Sequence, residues 1–500
     1  MKRRRLLLSA LALSVLAVRA HPLFPKAPNA TTHPELPDLL SNSSGAQSDV
    51  LGSLIEEHIE HVRCDSTTRR TSNDPASSGF QFQLNGTTLL SVPNHDKADE
   101  RKPMPAISVS LSKPTPIVAA YYPDWGASDL APESVDFDRF DWIDFAFAIP
   151  NTDFGLDFGG EASKGLLRRL VVAAHSRKKF VKLSIGGWDG SKHFSSAVSN
   201  HQSRTTFVSN IVAVYRDFSL DGIDMQYPGI MGATGNTVSS DDSANFLTFL
   251  QQLRAVLPEI ALITAATQVW PFADEQGAPM SDVSAFAQVL DWILLMVYDT
   301  WGSSANPGPN APLDDGCRIQ PNLASWTQSG FPASKLVLGI PAYGYISRSS
   351  ATRLRNRRSA PDGTIALEAP NGINVVSTPD ENGMVTIENE EGGIDGGQVQ
   401  FRSIVEQGAL KTSQESKFVG AGGFKRHWDN CSSTPFLSSV FASQIITYDD
   451  PESMRLKGAF AAEAGLHGVN MFDAHGDTER WDLIDAARNG LGLAAADNTK

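Results

Sequence analysis

Residues 180–188 read Phe180-Val181-Lys182-Leu183-Ser184-Ile185-Gly186-Gly187-Trp188, and residues 221–228 read Asp221-Gly222-Ile223-Asp224-Met225-Gln226-Tyr227-Pro228. In each, a short run of strand-forming residues ends at glycine or proline, which bounds a strand. Runs of this kind recur at 117–122, 142–148, 180–185, 222–225, 261–267, 292–298 and 336–340, with an eighth at 468–472. Helical stretches lie between them, and strands alternating with helices of about 10–15 residues indicate parallel βαβ units. Eight units predict an α/β protein of the (β/α)8 TIM-barrel class, although an open doubly wound sheet would share the rhythm.

The interval between the seventh and eighth runs is much longer than a βα connection. It contains the alternating segments Ile373-x-Val375 and Val385-x-Ile387 and a helical pattern over 401–410. An α+β domain inserted at 346–444, between strand 7 and helix 7, accounts for it. Asp450-Pro451-Glu452 then opens the seventh barrel helix, with proline in the first turn.

Ahead of the barrel, Lys2 to Arg5 precede an apolar run from Leu6 to Val18, with Val18 and Ala20 before a cut at His21. This is the pattern of a signal peptide over 1–20, too short for a bilayer span, and it implies an extracellular, secreted protein. Residues 21–114 are rich in Ser, Thr, Asn, Asp and Pro and read as a low-complexity leader. Glycosylation sequons at Asn29, Asn42 and Asn85, with a weaker one at Asn430, fit export. The barrel region spans 115–490, and 491–500 form a tail. Three cysteines (Cys64, Cys317, Cys431) are too few for a disulfide framework, and a Cys317–Cys431 bridge is left open. The formal charge of −14 becomes −19 once Lys2, Arg3, Arg4, Arg5 and Arg19 leave with the first twenty residues. That acidity disfavours nucleic acid and anionic membranes as partners. No metal-ligand spacing is present, so neither metal nor cofactor is expected, and the chain reads as a monomer.

Several strand ends carry motifs that resemble glycoside hydrolase family 18, the chitinase-like family. Ser184-Ile185-Gly186-Gly187 resembles its S-x-G-G signature. Asp221-Gly222-Ile223-Asp224 resembles the start of its D-G-x-D-x-D-x-E motif on the next strand. Met296-Val297-Tyr298-Asp299 matches M-x-Y-D, Gly339-Ile340-Pro341-Ala342-Tyr343-Gly344 matches G-x-P-x-Y-G, and Tyr448-Asp449-Asp450-Pro451 matches Y-D-D-P. Five motifs in the family's order, across residues 115 to about 490, are a specific resemblance. It implies a barrel whose strand ends converge on one cleft. It also implies cleavage of β-1,4 N-acetylglucosamine links, assisted by the substrate's own acetamide. In that chemistry the motif's final Glu protonates the glycosidic oxygen, and the neighbouring Asp holds the acetamide.

Here the motif fails. Against D-G-x-D-x-D-W-E-Y-P, the sequence Asp224-Met225-Gln226-Tyr227-Pro228 is two residues short, and either alignment loses the middle Asp and the acid. Side chains alternate along a strand, so a two-residue loss keeps the facing of Asp224 and Gln226 toward the barrel mouth. Asp224 and Gln226 therefore occupy the place of the catalytic carboxylates. An amide forms hydrogen bonds but cannot act as a general acid. Asp124, Asp189, Asp299 and Asp473 are the other carboxylates near strand ends.

The resemblance assigns substrate binding to Tyr121, Phe147, Gly187, Trp188, Tyr227, Met296, Tyr298, Asp299 and Tyr343. Phe472 takes the place of the tryptophan that floors the family's cleavage subsite. Trp125, Trp270, Trp301 and Trp428 lie where they could extend a groove. The expected function is binding of chitin or N-acetylglucosamine oligosaccharides by a catalytically impaired relative. The alternatives are an active chitinase, through rescue by another carboxylate or a misread intron boundary, and an endo-N-acetylglucosaminidase, which shares fold and chemistry but lacks this insertion.

Overall fold

The computed structural model describes residues 115–226, 239–313, 319–355 and 383–496. The leader, Tyr227-Pro228, Ile373-x-Val375 and Cys317 with its bridge lie outside them. Strands β1 (Ile117–Pro123), β2 (Trp142–Pro150), β3 (Phe180–Ile185), β4 (Gly222–Gln226), β5 (Leu262–Thr267), β6 (Trp292–Leu295), β7 (Leu336–Pro341) and β8 (Gly468–Phe472) each pair in parallel with the next. β8 pairs back onto β1, so the sheet closes into a barrel. Helices α1 (Glu161–Ser176), α2 (His201–Asp217), α3 (Asp242–Val256), α4 (Ser284–Val289), α5 (Ile319–Gln328), α6 (Pro451–Glu463) and α7 (Asp482–Gly490) follow β2 to β8 in turn. The expected (β/α)8 architecture is what the chain adopts.

The period-two facing of the strands divides the core into two layers. Val118, Ile143, Phe145, Val181, Leu183, Ile185, Ile223 and Met225 point outward and pack beneath the helices. Tyr121, Ala146, Ala266, Trp292, Leu294 and Val337 fill the lumen. Register fixes the polar members of the lumen as well. Ser184 lies beside Asp224 and Asp224 beside Thr264, while Asp144 lies beside Lys182.

Caps set where two of the helices begin. Asn200 and Ser203 form a reciprocal capping box at α2, and Asp450 and Ser453 form another at α6, where Pro451 supplies the first turn. The sixth strand is shorter than the apolar run suggests and ends at Leu295, although the Met296 N–H still donates to the Thr267 carbonyl of β5.

Between β7 and α6 a five-stranded antiparallel sheet runs in the order Gly396–Gln400, Tyr343–Arg348, Gln444–Thr447, Thr434–Ser439, Lys425–Asp429. Its first strand in sequence starts inside the G-x-P-x-Y-G motif, so Tyr343 links barrel and insertion. The helix expected over 401–410 spans Phe401–Glu406, and Leu410 instead starts a two-stranded ladder with Phe418–Gly420. Val385 and Ile387 alternate without joining a strand. Both are buried, and Ile387 exchanges backbone hydrogen bonds with the Gln444 side chain (3.0 and 2.7 Å).

Candidate functional site

Asp224 projects from β4 into the lumen and is 2% exposed. Three hydroxyls donate to it: Tyr121 at 3.0 Å, Ser184 at 2.8 Å and Thr264 at 2.6 Å. Thr264 itself accepts from the Lys182 ammonium at 2.9 Å, so its only proton is directed at Asp224. Lys182 is fully buried. It pairs with Asp144 at 3.1 Å and lies 4.5 Å from the ring centroid of Trp292. Asp144 also accepts from Asn470 at 2.8 Å. Burial, then the neighbouring Asp224 charge, push Asp144 up to about 6 against the pull of Lys182. The lumen thus carries one connected polar chain from Asn470 to Tyr121.

Gln226, two residues on, faces the same way from the top of β4. Its Nε2 lies 3.5 Å from the Met296 sulfur, a weak contact. Gly186 and Gly187 hold the adjoining ledge at φ of 107° and 97°, backbone that favours glycine. There is also no room for larger residues. A Cβ on Gly186 would stand 3.2 Å from that of Gln226, and one on Gly187 would stand 3.1 Å from the Phe147 ring.

Around this ledge the aromatics form a continuous bowl. Phe472 lies 5.3 Å from Tyr121 and 6.3 Å from both Tyr298 and Tyr343, ring to ring. Tyr121 in turn lies 6.2 Å from Phe147, and Phe147 6.2 Å from Trp125. Trp188 stands beside the ledge, half exposed. Burial raises the Tyr121, Tyr298 and Tyr343 phenols well above their ordinary value, so they remain hydrogen-bond donors. Asp299 closes the far side, its Oδ1 accepting from Tyr343 at 2.5 Å and Tyr345 at 2.8 Å. Although the residue has an exposed edge, burial of the carboxyl raises its pKa against the pull of the two tyrosines. Asn310 clamps this corner through the Asp299 N–H and the Tyr343 carbonyl, each at 3.0 Å.

The family 18 model, described as "Glycosyl hydrolases family 18", matches residues 117–477. This chain belongs to glycosyl hydrolase family 18. A chitinase-like effector of Moniliophthora roreri is 36% identical over 412 residues, covering 77% of this chain and 96% of that protein. A second chitinase-like effector, from Moniliophthora perniciosa, is 34% identical over 404 residues, covering 76% and 87%. Among solved structures, a chitinase from Rhizomucor miehei is 28% identical with a TM-score of 0.61, covering 75% of this chain and all of that one.

For a family 18 barrel, the residues picked out by sequence fall together at the C-terminal strand ends, with four qualifications, the first being Trp270, which stands exposed beyond β5 outside the ring series. Tyr227 lies outside the described residues. Trp301 packs beneath the Arg355 guanidinium at 4.9 Å and Trp428 beside Arg426 at 5.5 Å, so both rings are engaged within the protein. Tyr345 and Asn310, which sequence reasoning missed, complete the Asp299 corner. Tyr345 could have been found from its place two residues beyond Tyr343 on one strand face, whereas Asn310 sits in a loop with no pattern to mark it. Of the other carboxylates, Asp473 is buried, pairs with His475 and caps the turn after β8. Asp124 sits in the first turn after β1 and Asp189 on the exposed loop beyond Trp188. Among the described residues no group of three or more His, Cys, Asp or Glu side chains could hold a metal ion.

Proposed function

We propose that this family 18 chain binds chitin or N-acetylglucosamine oligosaccharides in the aromatic bowl without hydrolysing them. The observation that carries the reading is the state of β4. Asp224 is buried with both carboxyl oxygens engaged by three hydroxyls, and the next inward-facing position is the amide of Gln226. Hydrolysis of the linkage needs a group that delivers a proton to the bridging oxygen and then takes one back. Loss of general acid–base catalysis alone removes about 10²–10⁴-fold in rate. Loss of the acetamide-holding Asp compounds it. The bowl keeps what binding requires: aromatic faces for sugar rings, with tyrosine, amide and carboxyl groups to fix their orientation. The description of two relatives as chitinase-like effectors supports the same reading. Secretion through the 1–20 segment and a monomeric state belong to this proposal.

The test compares this chain with one carrying Asp-Trp-Glu in place of Gln226, on a chromogenic chitooligosaccharide and in calorimetric binding. Binding with negligible turnover is expected for the first, and turnover for the second. Equal turnover by both would overturn the non-hydrolytic reading in favour of an active chitinase.

A further inference from the structure

Beyond Trp125 the bowl gives way to a cavity of different chemistry. It encloses about 530 Å³ and is lined by Trp125, Asp129, Glu390, Arg402, Glu406 and His475, together with other polar groups of the insertion. That volume lies within the range of small-molecule pockets, about 300–1,000 Å³. Trp125 is 55% exposed and continues the ring series through Phe147 to Tyr121. The cavity is therefore an extension of the groove.

Its charge is unlike the bowl's. Asp129, Glu390 and Glu406 contribute carboxyl groups, that of Glu390 raised in pKa by burial against the pull of His475, and Asp473 pairs with His475. Burial opposes a charge on the His475 imidazole, yet Asp473, with Glu390 and Asp129, outweighs it and raises the pKa. The Arg402 guanidinium is held by backbone carbonyls, those of Asp477 at 2.9 Å and Asp129 at 3.1 Å. The Gln400 side chain on the same wall bonds Glu390 and packs its Oε1 against Gly476. Acceptors in excess, an indole face and a sugar-sized volume together suit a cationic sugar better than a neutral one. No triad of ligating side chains exists among the described residues to make it a metal site.

We propose that this cavity is a subsite for an unacetylated glucosamine unit, whose ammonium is held by Glu390, Glu406 and the Trp125 face. The chain thereby favours partly deacetylated chitin oligosaccharides over fully acetylated ones. This inference rests on the oligosaccharide-binding reading above.

The full chain is titrated calorimetrically with three chitopentaoses: fully acetylated, with one glucosamine at the non-reducing end, and with one at the reducing end. One of the two amine-bearing pentamers should bind about fivefold tighter than the acetylated form at low salt. The gain should shrink as salt is raised. Glu390→Gln with Glu406→Gln should remove it, so that the variant binds the amine-bearing and acetylated pentamers alike. Equal or weaker binding of both amine-bearing forms overturns the inference and leaves the binding reading standing, as does a gain that survives the double substitution. If no pentamer binds, both fall.

Discussion

At Thr264 a single hydroxyl joins two buried charges, accepting from Lys182 and donating to Asp224. Replacement by valine keeps the shape and removes both bonds, leaving the ammonium short of an acceptor. Thr264→Val should cost about 2 kcal/mol, read from urea denaturation. Asp144 gives the same network a pH signature. Its folded-state value of about 6 lies above that of a free carboxyl, so folding favours the protonated form. The contribution is full below about pH 4 and is lost as pH rises through about 6. Melting temperatures measured across that window should fall less steeply for Asp144→Asn than for the parent chain.

At the scale of elements, one cap joins the barrel to its insertion. Asp450 accepts from the Glu452 and Ser453 N–H groups at the start of α6, and its other oxygen meets the Arg426 guanidinium at 2.7 Å. Removing the carboxylate in Asp450→Ala unsettles the helix start and leaves the half-buried Arg426 with Glu452 as its remaining ion-pair partner. A loss of about 2–3 kcal/mol is expected by thermal melting, with oligosaccharide binding retained. Gly187→Ala should act oppositely on binding. A methyl at φ 97° would press on Phe147, so affinity for chitopentaose should drop severalfold.

These elements also show what a sequence can disclose. Strand positions and inward facing follow from alternation, which is why Asp224 and Gln226 stand where the two-residue deletion places them. Loop partners such as Asn310, and the engagement of Trp301 and Trp428 by arginines, depend on contacts between segments far apart in the chain. No local pattern encodes those. The 401–410 helix was legible in kind but not in length, because the fate of Leu410 is decided by its pairing with Gly420.

For the whole molecule, a family 18 barrel with its inserted sheet surrounds a lumen in which Asp224 and then Gln226 face inward from β4. A ligand that binds only the folded chain raises its stability, by about 2.7 kcal/mol at a hundredfold excess over Kd. Chitopentaose should therefore raise the melting temperature, and the rise should be undiminished after days of incubation. For the chain carrying Asp-Trp-Glu, the rise should decay as its ligand is cut.

The chain of contacts from Asn470 through Asp144, Lys182, Thr264 and Asp224 to Tyr121 has one more implication, for anyone who would redesign the lumen. Each member satisfies the next, so replacing one alone exposes a debt in its neighbour. A wholly apolar interior is reachable only by exchanging the set together, and partial versions along the route should all be less stable than either end.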